Sequence, residues 1–163
     1  MTKKEVMTNV GYTIILDKLK SAKTEREQIL EEVAIATKLS GELSENSEYF
    51  EAKDRYDKNE TLIKSLNDKL LRATVIEVND IVKDGKIRFG SVVKLMDLDT
   101  SNELAYQILG EYEADIKNNI ISYKSPIASA MIGKSVGDQV YFVTPKGERE
   151  LEVLMVDNIE WTT

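Results

Sequence analysis

A chain of 163 residues with 42% hydrophobic content is long enough to form one ordinary domain or two small ones around a packed core. Cysteine and histidine are both absent, which excludes disulfides, thiolate nucleophiles, zinc–thiolate sites and imidazole bases, and leaves oxygen ligands for hard cations such as Mg²⁺. The formal charge is −7, most of it contributed after residue 78, and this argues against a broadly basic surface for nucleic acid.

The N-terminal residues MTKKEVMT are not followed by the apolar core of a signal peptide. No apolar run in the chain approaches the roughly 18 to 20 residues that a membrane helix needs. We therefore expect a cytoplasmic protein with no membrane partner.

A long helix is predicted from Thr8 to about Leu39. Its seam positions alternate in spacing between four and three residues, which is the heptad pattern of a coiled coil. These positions are Ile15, Leu19, Ala22, Arg26, Ile29, Val33 and Ala36. Thr8 fits the N-cap, and Met7 fits a hydrophobic staple against Tyr12, so the start of the helix is predicted as well.

A second helix with a matching seam is predicted from Ser47 to Ala73. Its seam positions are Tyr49, Ala52, Tyr56, Asn59, Ile63, Leu66, Leu70 and Ala73. Because the connection is short, the helices should pair antiparallel, and the numbers of facing residues should then have a constant sum. The apolar pairs share a sum of 85, and the same rule sets Arg26 opposite Asn59. We predict that these two polar residues fix the register of the hairpin.

The connection between the helices, GELSENSEYF (residues 41–50), is rich in carboxylates. Gly41 permits a turn, and Ser44 or a later polar residue fits the N-cap of the returning helix. One interpretation is that Glu42 and Glu45 complement the helix dipole and keep the turn soluble. The other is that they are presented to a partner. Two carboxylates cannot fill the octahedral shell of Mg²⁺, but they suit a metal site that a partner already holds in part.

After the second helix the chain changes to short segments rich in β-branched and aromatic residues. These are TVIEV, IRFGSVVKLMDL, ELAYQIL, NIISY, QVYFV and ELEVLMV, separated by turns such as KDGK and PKGE. In SPIASAMIG, Ser125 fits an N-cap, Pro126 a first helical position and Gly133 the end of a short helix. We predict an α+β protein: a two-helix coiled-coil hairpin in residues 1–78, then a mostly antiparallel sheet domain with one short helix in residues 79–163.

Two motifs resemble those of a known family. GELSENSEY resembles GDLxENAEY, the hairpin-tip motif of the GreA/GreB family of bacterial transcript cleavage factors. ISYKSPIASAMIGKSVGD, with the following TP, resembles ISxxSPIAxxLIGKxxGD in the C-terminal domain of that family. The resemblance covers nearly the whole chain. It implies a coiled-coil finger on an FKBP-like antiparallel sheet domain, bound to RNA polymerase with the finger in the secondary channel.

The resemblance implies a role for the tip. Glu42 and Glu45 match the carboxylates that support a second Mg²⁺ in the polymerase active centre and promote endonucleolytic cleavage of backtracked RNA. The polymerase supplies the aspartates and the catalytic metal, so the free protein is expected to bind no metal tightly and to be no nuclease. Glu42 stands where the family usually has Asp, which adds one methylene. Ser44 is a candidate for a hydrogen bond to the site, with a helix cap as the alternative.

A docking role is implied for a loop of the second domain. Ser125 and Pro126 match the loop by which the family docks on the polymerase, and their structural alternative is a helix cap with a first-turn proline. Lys124, the residue before them, is a further candidate contact with the polymerase, at a position where the family more often has Asn or Asp. The implied partners are bacterial RNA polymerase and, through it, the 3′ end of the nascent RNA. A monomer is the simplest expectation, because the hairpin buries its own seam.

Two alternative functions remain open. A polymerase-binding relative that blocks the channel without promoting cleavage would share the same fold. A prolyl isomerase would use the FKBP-like domain, but it needs an aromatic-lined apolar pocket, and the only tryptophan, Trp161, lies close to the C-terminus.

Overall fold

The computed structural model describes residues 3–39, 47–77 and 83–157. The contacts within the chain divide it into two units. One comprises Met1–Lys3 and Thr13–Ala73, and the other comprises Lys4–Tyr12 and Thr74–Thr163. The boundary predicted between residues 78 and 79 lies outside the described residues.

Two long helices supply most of the first unit. Helix α1 spans Asn9–Leu39 and helix α2 spans Ser47–Arg72. The predicted seam is confirmed, because every seam position of both helices is buried or half-buried while most of their other residues are exposed. Ile15 and Ile29 have no exposed surface. A fully buried side chain of this size contributes about 1.5–3 kcal/mol to stability, so the seam is the main source of cohesion in the hairpin.

The ends of the helices follow their local chemistry. The Gly11 amide donates to the Thr8 hydroxyl oxygen at 3.3 Å, which confirms Thr8 as the N-cap of α1. Helix α2 ends one residue earlier than predicted, because Ala73 begins strand β2, which spans Ala73–Val75. Strand β2 pairs in a two-stranded sheet with β1, which spans Glu5–Met7. Strand β1 was not predicted, since three residues are too few to show an alternating pattern.

The second unit contains a five-stranded sheet with the spatial order β5-β4-β3-β7-β6. Its strands are β3 (Val92–Asp97), β4 (Glu103–Leu109), β5 (Ile120–Ser122), β6 (Gln139–Thr144) and β7 (Gly147–Asp157). Three of the pairings are antiparallel, whereas β4 and β5 run parallel. The prediction of a mostly antiparallel sheet is therefore confirmed, with one parallel edge pairing that the sequence pattern did not indicate.

Helix α3, which spans Pro126–Met131, is the predicted short helix. Its residues Ala128 and Met131 have no exposed surface and belong to the core that the sheet forms with Ile87. Three strands contribute the largest share of that core, through Val93, Leu95, Ile108, Leu151 and Val153. The core therefore holds the start of α3, and with it the loop that precedes the helix, in a defined place on the sheet.

Candidate functional site

The acidic segment lies between the ends of two paired helices. Helix α1 ends at Leu39 and α2 begins at Ser47. The candidate residues Glu42, Ser44 and Glu45 fall between them and lie outside the described residues. What the structure defines is the hairpin that carries them.

Cross-helix contacts establish the register of that hairpin. A guanidinium nitrogen of Arg55 lies 2.6 Å from a carboxylate oxygen of Glu32, and one of Arg26 lies 3.1 Å from Glu60. In both pairs the two residue numbers add to within two of 85, as the antiparallel alignment predicts. The helices are therefore paired in the predicted direction and register, and residues 40–46 connect their adjacent ends.

The predicted polar layer of Arg26 and Asn59 is present, and each of these two side chains bonds to a carboxylate on the opposite helix. Arg26 pairs with Glu60, while the side-chain amide of Asn59 donates to Glu25 at 3.4 Å. Each of the two seam residues thus binds the neighbour of the other. Asn59 is buried, and its Oδ1 has no hydrogen-bond partner among the described residues. An unsatisfied buried acceptor destabilises the hairpin, so this layer favours one register at a cost in stability.

The loop before α3 is closed by its own hydrogen bonds. The Ser125 amide donates to the Ser122 carbonyl at 2.9 Å, and the Ser125 hydroxyl oxygen accepts from the Ala128 amide at 3.3 Å. Ser125 is therefore the N-cap of α3, with Pro126 in the first turn, as the sequence predicted. The Pro126 ring is exposed, so the cap leaves this residue accessible to a partner. A partner contact through Ser125 and Pro126 stays a prediction.

Lys124 points back into the domain. Its Nζ lies 2.5 Å from Oε2 of Glu5 in strand β1 and 3.7 Å from Oε2 of Glu111. Burial alone would lower the pKa of Lys124, but the hydrogen bond to Glu5 and the negative charges around the amine outweigh it, and the pKa is raised. The ammonium group is therefore firmly charged and is engaged within the domain. Its predicted contact with a partner remains a prediction.

Glu113, a carboxylate that the sequence analysis did not single out, anchors the start of α1. Glu113 accepts from the Thr8 amide at 2.7 Å and from the Thr8 hydroxyl at 2.8 Å, and its other oxygen accepts from the Gly110 amide. A Cβ at Gly11 or Gly110 would overlap this carboxylate and would force Glu113 to shift away from its hydrogen bonds. In the sequence, only these two glycines could have pointed to the position of the Glu113 side chain. The pairing itself joins residues 105 positions apart.

Two features are absent from the described part of the chain. Within it, no group of three or more acidic residues is arranged to hold a metal ion. No helix in residues 3–39, 47–77 and 83–157 has both the length and the apolarity needed to cross a membrane.

Comparison with known proteins agrees with both halves of this description. Residues 5–75 match the family model for the N-terminal domain of transcription elongation factors, and residues 82–158 match the C-terminal model for transcription elongation factors GreA/GreB. Transcription elongation factor GreA of Orientia tsutsugamushi (strain Boryong) is 44% identical over 156 residues, covering 95% of this chain and 97% of that protein. The GreA of Allorhizobium ampelinum is 42% identical over 158 residues, covering 96% and 99%.

Solved structures show a weaker similarity. The crystal structure of GreA factor homolog 1 (Gfh1) of Thermus thermophilus is 28% identical, with a TM-score of 0.43 over 95% of this chain and 99% of that chain. The two family models and the curated relatives identify a protein of transcription elongation. The chain belongs to the GreA/GreB family of transcription elongation factors.

Proposed function

We propose that this chain binds bacterial RNA polymerase, inserts its hairpin into the secondary channel, and stimulates endonucleolytic cleavage of backtracked nascent RNA. Arrested complexes are thereby rescued. The chain acts as a cofactor protein and not as an enzyme, because the polymerase performs the cleavage. Glu42 and Glu45 help to hold a Mg²⁺ ion jointly with the polymerase.

The observation that carries this proposal is the register of the hairpin. Cross-helix ion pairs such as Arg55–Glu32 support an antiparallel pairing in which the segment with Glu42 and Glu45 joins the helix ends. Helix α1 has 31 residues, and at 1.5 Å per residue it is about 46 Å long. A paired rod of this length suits a channel that is too narrow for a globular domain. Membership of the GreA/GreB family supports the same function.

The chemistry of the tip explains why a partner is required. Mg²⁺ prefers six oxygen ligands in an octahedral arrangement, and two carboxylates supply only a minority of them. The pair should therefore bind the ion weakly unless ligands from the polymerase complete the shell. When bound, the ion would stabilise charge at the scissile phosphate or orient the attacking water. The chain itself contributes the two carboxylates and the rod that delivers them.

Docking is assigned to the loop before α3. Pro126 is exposed at the surface of the second unit, and the buried residues Ala128 and Met131 anchor the same helix in the core. An exposed residue on an anchored element loses little conformational freedom on binding, which favours recognition. Ser125 and Pro126 are therefore suited to contact the polymerase in a fixed geometry.

The decisive experiment compares tip variants on halted, backtracked RNA polymerase in the presence of Mg²⁺. Glu42→Ala/Glu45→Ala should reduce 3′ transcript shortening to the level of polymerase alone while leaving polymerase binding largely intact. Glu27→Ala/Glu31→Ala is a matched control, since it removes two exposed carboxylates from α1 and should cleave like the parent. Parental cleavage by the tip variant would show that the tip has been misassigned.

The same assay separates the alternatives. A polymerase-binding inhibitor would bind and slow transcription, and neither the parent nor any variant would shorten the transcript. A prolyl isomerase would turn over a short proline peptide, and appreciable turnover would count against the proposal. Glu42→Asp restores the residue that the family usually has and removes one methylene. It should support cleavage at least as well as the parent, because it restores the carboxylate position that is usual in the family.

A further inference from the structure

Strand β1 reaches the loop before α3 through a charged contact. The Lys124 Nζ lies 2.5 Å from Oε2 of Glu5, and the Glu5 side chain is only 12% exposed. Glu111 lies on the outer side of the same amine, at 3.7 Å, with half of its side chain exposed. A hydrogen-bonded pair between a buried carboxylate and an ammonium group is costly to break, because the carboxylate is left charged and unpaired. The pair with Glu5 is therefore the stronger constraint on Lys124.

The preceding residue of the loop is held by the same strand. The Val6 amide of β1 donates to the Tyr123 hydroxyl oxygen at 3.2 Å. The Tyr123 ring packs edge-on against Phe89, with 5.7 Å between ring centroids. Two consecutive loop residues thus contact two consecutive residues of β1. Two separate contacts with β1 therefore hold the loop in its conformation, although the two segments lie more than 110 positions apart.

The backbone of the loop forms a turn over residues 122–125. The Lys124 amide donates to the Ser122 hydroxyl oxygen at 3.1 Å, and the Ser125 amide donates to the Ser122 carbonyl. The side chain of Lys124, one-third exposed, extends toward Glu5, while Ser125 caps α3 and Pro126 begins it. Moving Lys124 outward to meet a partner would break its pair with Glu5 and disturb this turn.

We propose that Glu5 is a positioning residue for polymerase docking: it holds Lys124 inward, and so presents Ser125 and Pro126 to the polymerase in one conformation. This inference rests on the proposed function. It gives Lys124 an internal role in place of a direct partner contact. It also makes the N-terminal strand a support for the docking loop, although that strand does not itself touch the polymerase.

A double-mutant cycle tests the coupling between the two residues. Glu5→Gln, Lys124→Met and the double variant are each measured for their Kd with core RNA polymerase. Each single variant should weaken binding by about tenfold, and the double variant should be no weaker than either single one, since both remove the same constraint. Lys124→Arg should keep most of the affinity, because the cation and its partner are retained. Glu111→Gln is the matched control at the exposed carboxylate and should change Kd by less than about threefold.

Three results would overturn the inference. Parental affinity of Glu5→Gln would show that β1 has no role in docking. Losses that multiply in the double variant would show that Lys124 acts on the polymerase independently of Glu5. A Lys124→Met variant that keeps parental affinity would show that the loop needs no anchor.

The thermal unfolding midpoint of every variant is measured, and Kd is recorded at a temperature well below it. A loss of affinity is then not caused by unfolding. If a single variant is too unstable, the charge-reversed pair Glu5→Lys/Lys124→Glu serves instead, and recovery of affinity over Lys124→Glu alone is the expected result. Failure to recover would count against the inference. If the parent itself does not bind polymerase, the proposed function fails along with it. If the parent binds and stimulates cleavage, a negative cycle removes the positioning role alone.

Discussion

The polar layer of the hairpin makes a quantitative prediction. Asn59 is 6% exposed, its Oδ1 has no partner among the described residues, and its amide makes one long hydrogen bond to Glu25. Asn59→Leu should relieve an unsatisfied buried acceptor, which costs about 1–3 kcal/mol, and should bury an apolar side chain worth about 1.5–3 kcal/mol. Loss of the weak hydrogen bond offsets about 1 kcal/mol. We expect a net gain of about 1.5–5 kcal/mol in the free energy of unfolding.

Urea unfolding followed by far-UV circular dichroism at 222 nm measures this gain, because α1 and α2 supply most of the helical signal. Asn67→Leu is the matched control: it makes the same substitution at an exposed position of α2 and cancels the difference in helix propensity. It should lie within about 0.5 kcal/mol of the parent. If Asn59→Leu does no better than Asn67→Leu, the buried amide is satisfied in solution and the argument for a costly register layer is wrong.

Two further predictions concern the second unit. Glu113→Ala should destabilise it by about 2–4 kcal/mol, because two donors on Thr8 and the Gly110 amide lose a charged acceptor, and a thermal melt no lower than that of the parent would contradict this. Asp97 is buried, and its hydrogen bond with Arg149 lowers its pKa below the ordinary value. Its stabilisation is therefore present above about pH 4 and is lost as pH falls through the folded-state pKa. Asp97→Asn should be less stable than the parent at pH 7, with the difference narrowing on acidification below pH 4. A difference independent of pH would show that the charge of Asp97 does not matter.

The hairpin could be predicted because its determinants are periodic and local. Seam residues such as Ile15 and Ile29 recur at heptad spacing. Because a short connection forces the helices to pair antiparallel, the constant sum of facing residue numbers was enough to predict the register. The caps at Thr8 and Ser125 were predictable for the same reason, since each involves a residue three positions away. The acidic motif and the SPIA segment pointed to the family through their local order of residues.

Contacts between distant segments were not predictable in this way. Strand β1, the parallel pairing of β4 with β5, the Glu113 anchor and the Glu5–Lys124 pair all depend on which segments the fold brings together. The hydrogen bonds of Glu113 and Lys124 join residues 105 and 119 positions apart, and no periodic pattern marks either partner. Lys124 was a candidate partner contact through its place beside Ser125 in the family-like motif, and that motif gave no sign of its pair with the carboxylate of Glu5. Periodicity specifies which face of an element is buried, but the pairing of individual charges is set by the packing of the elements against one another.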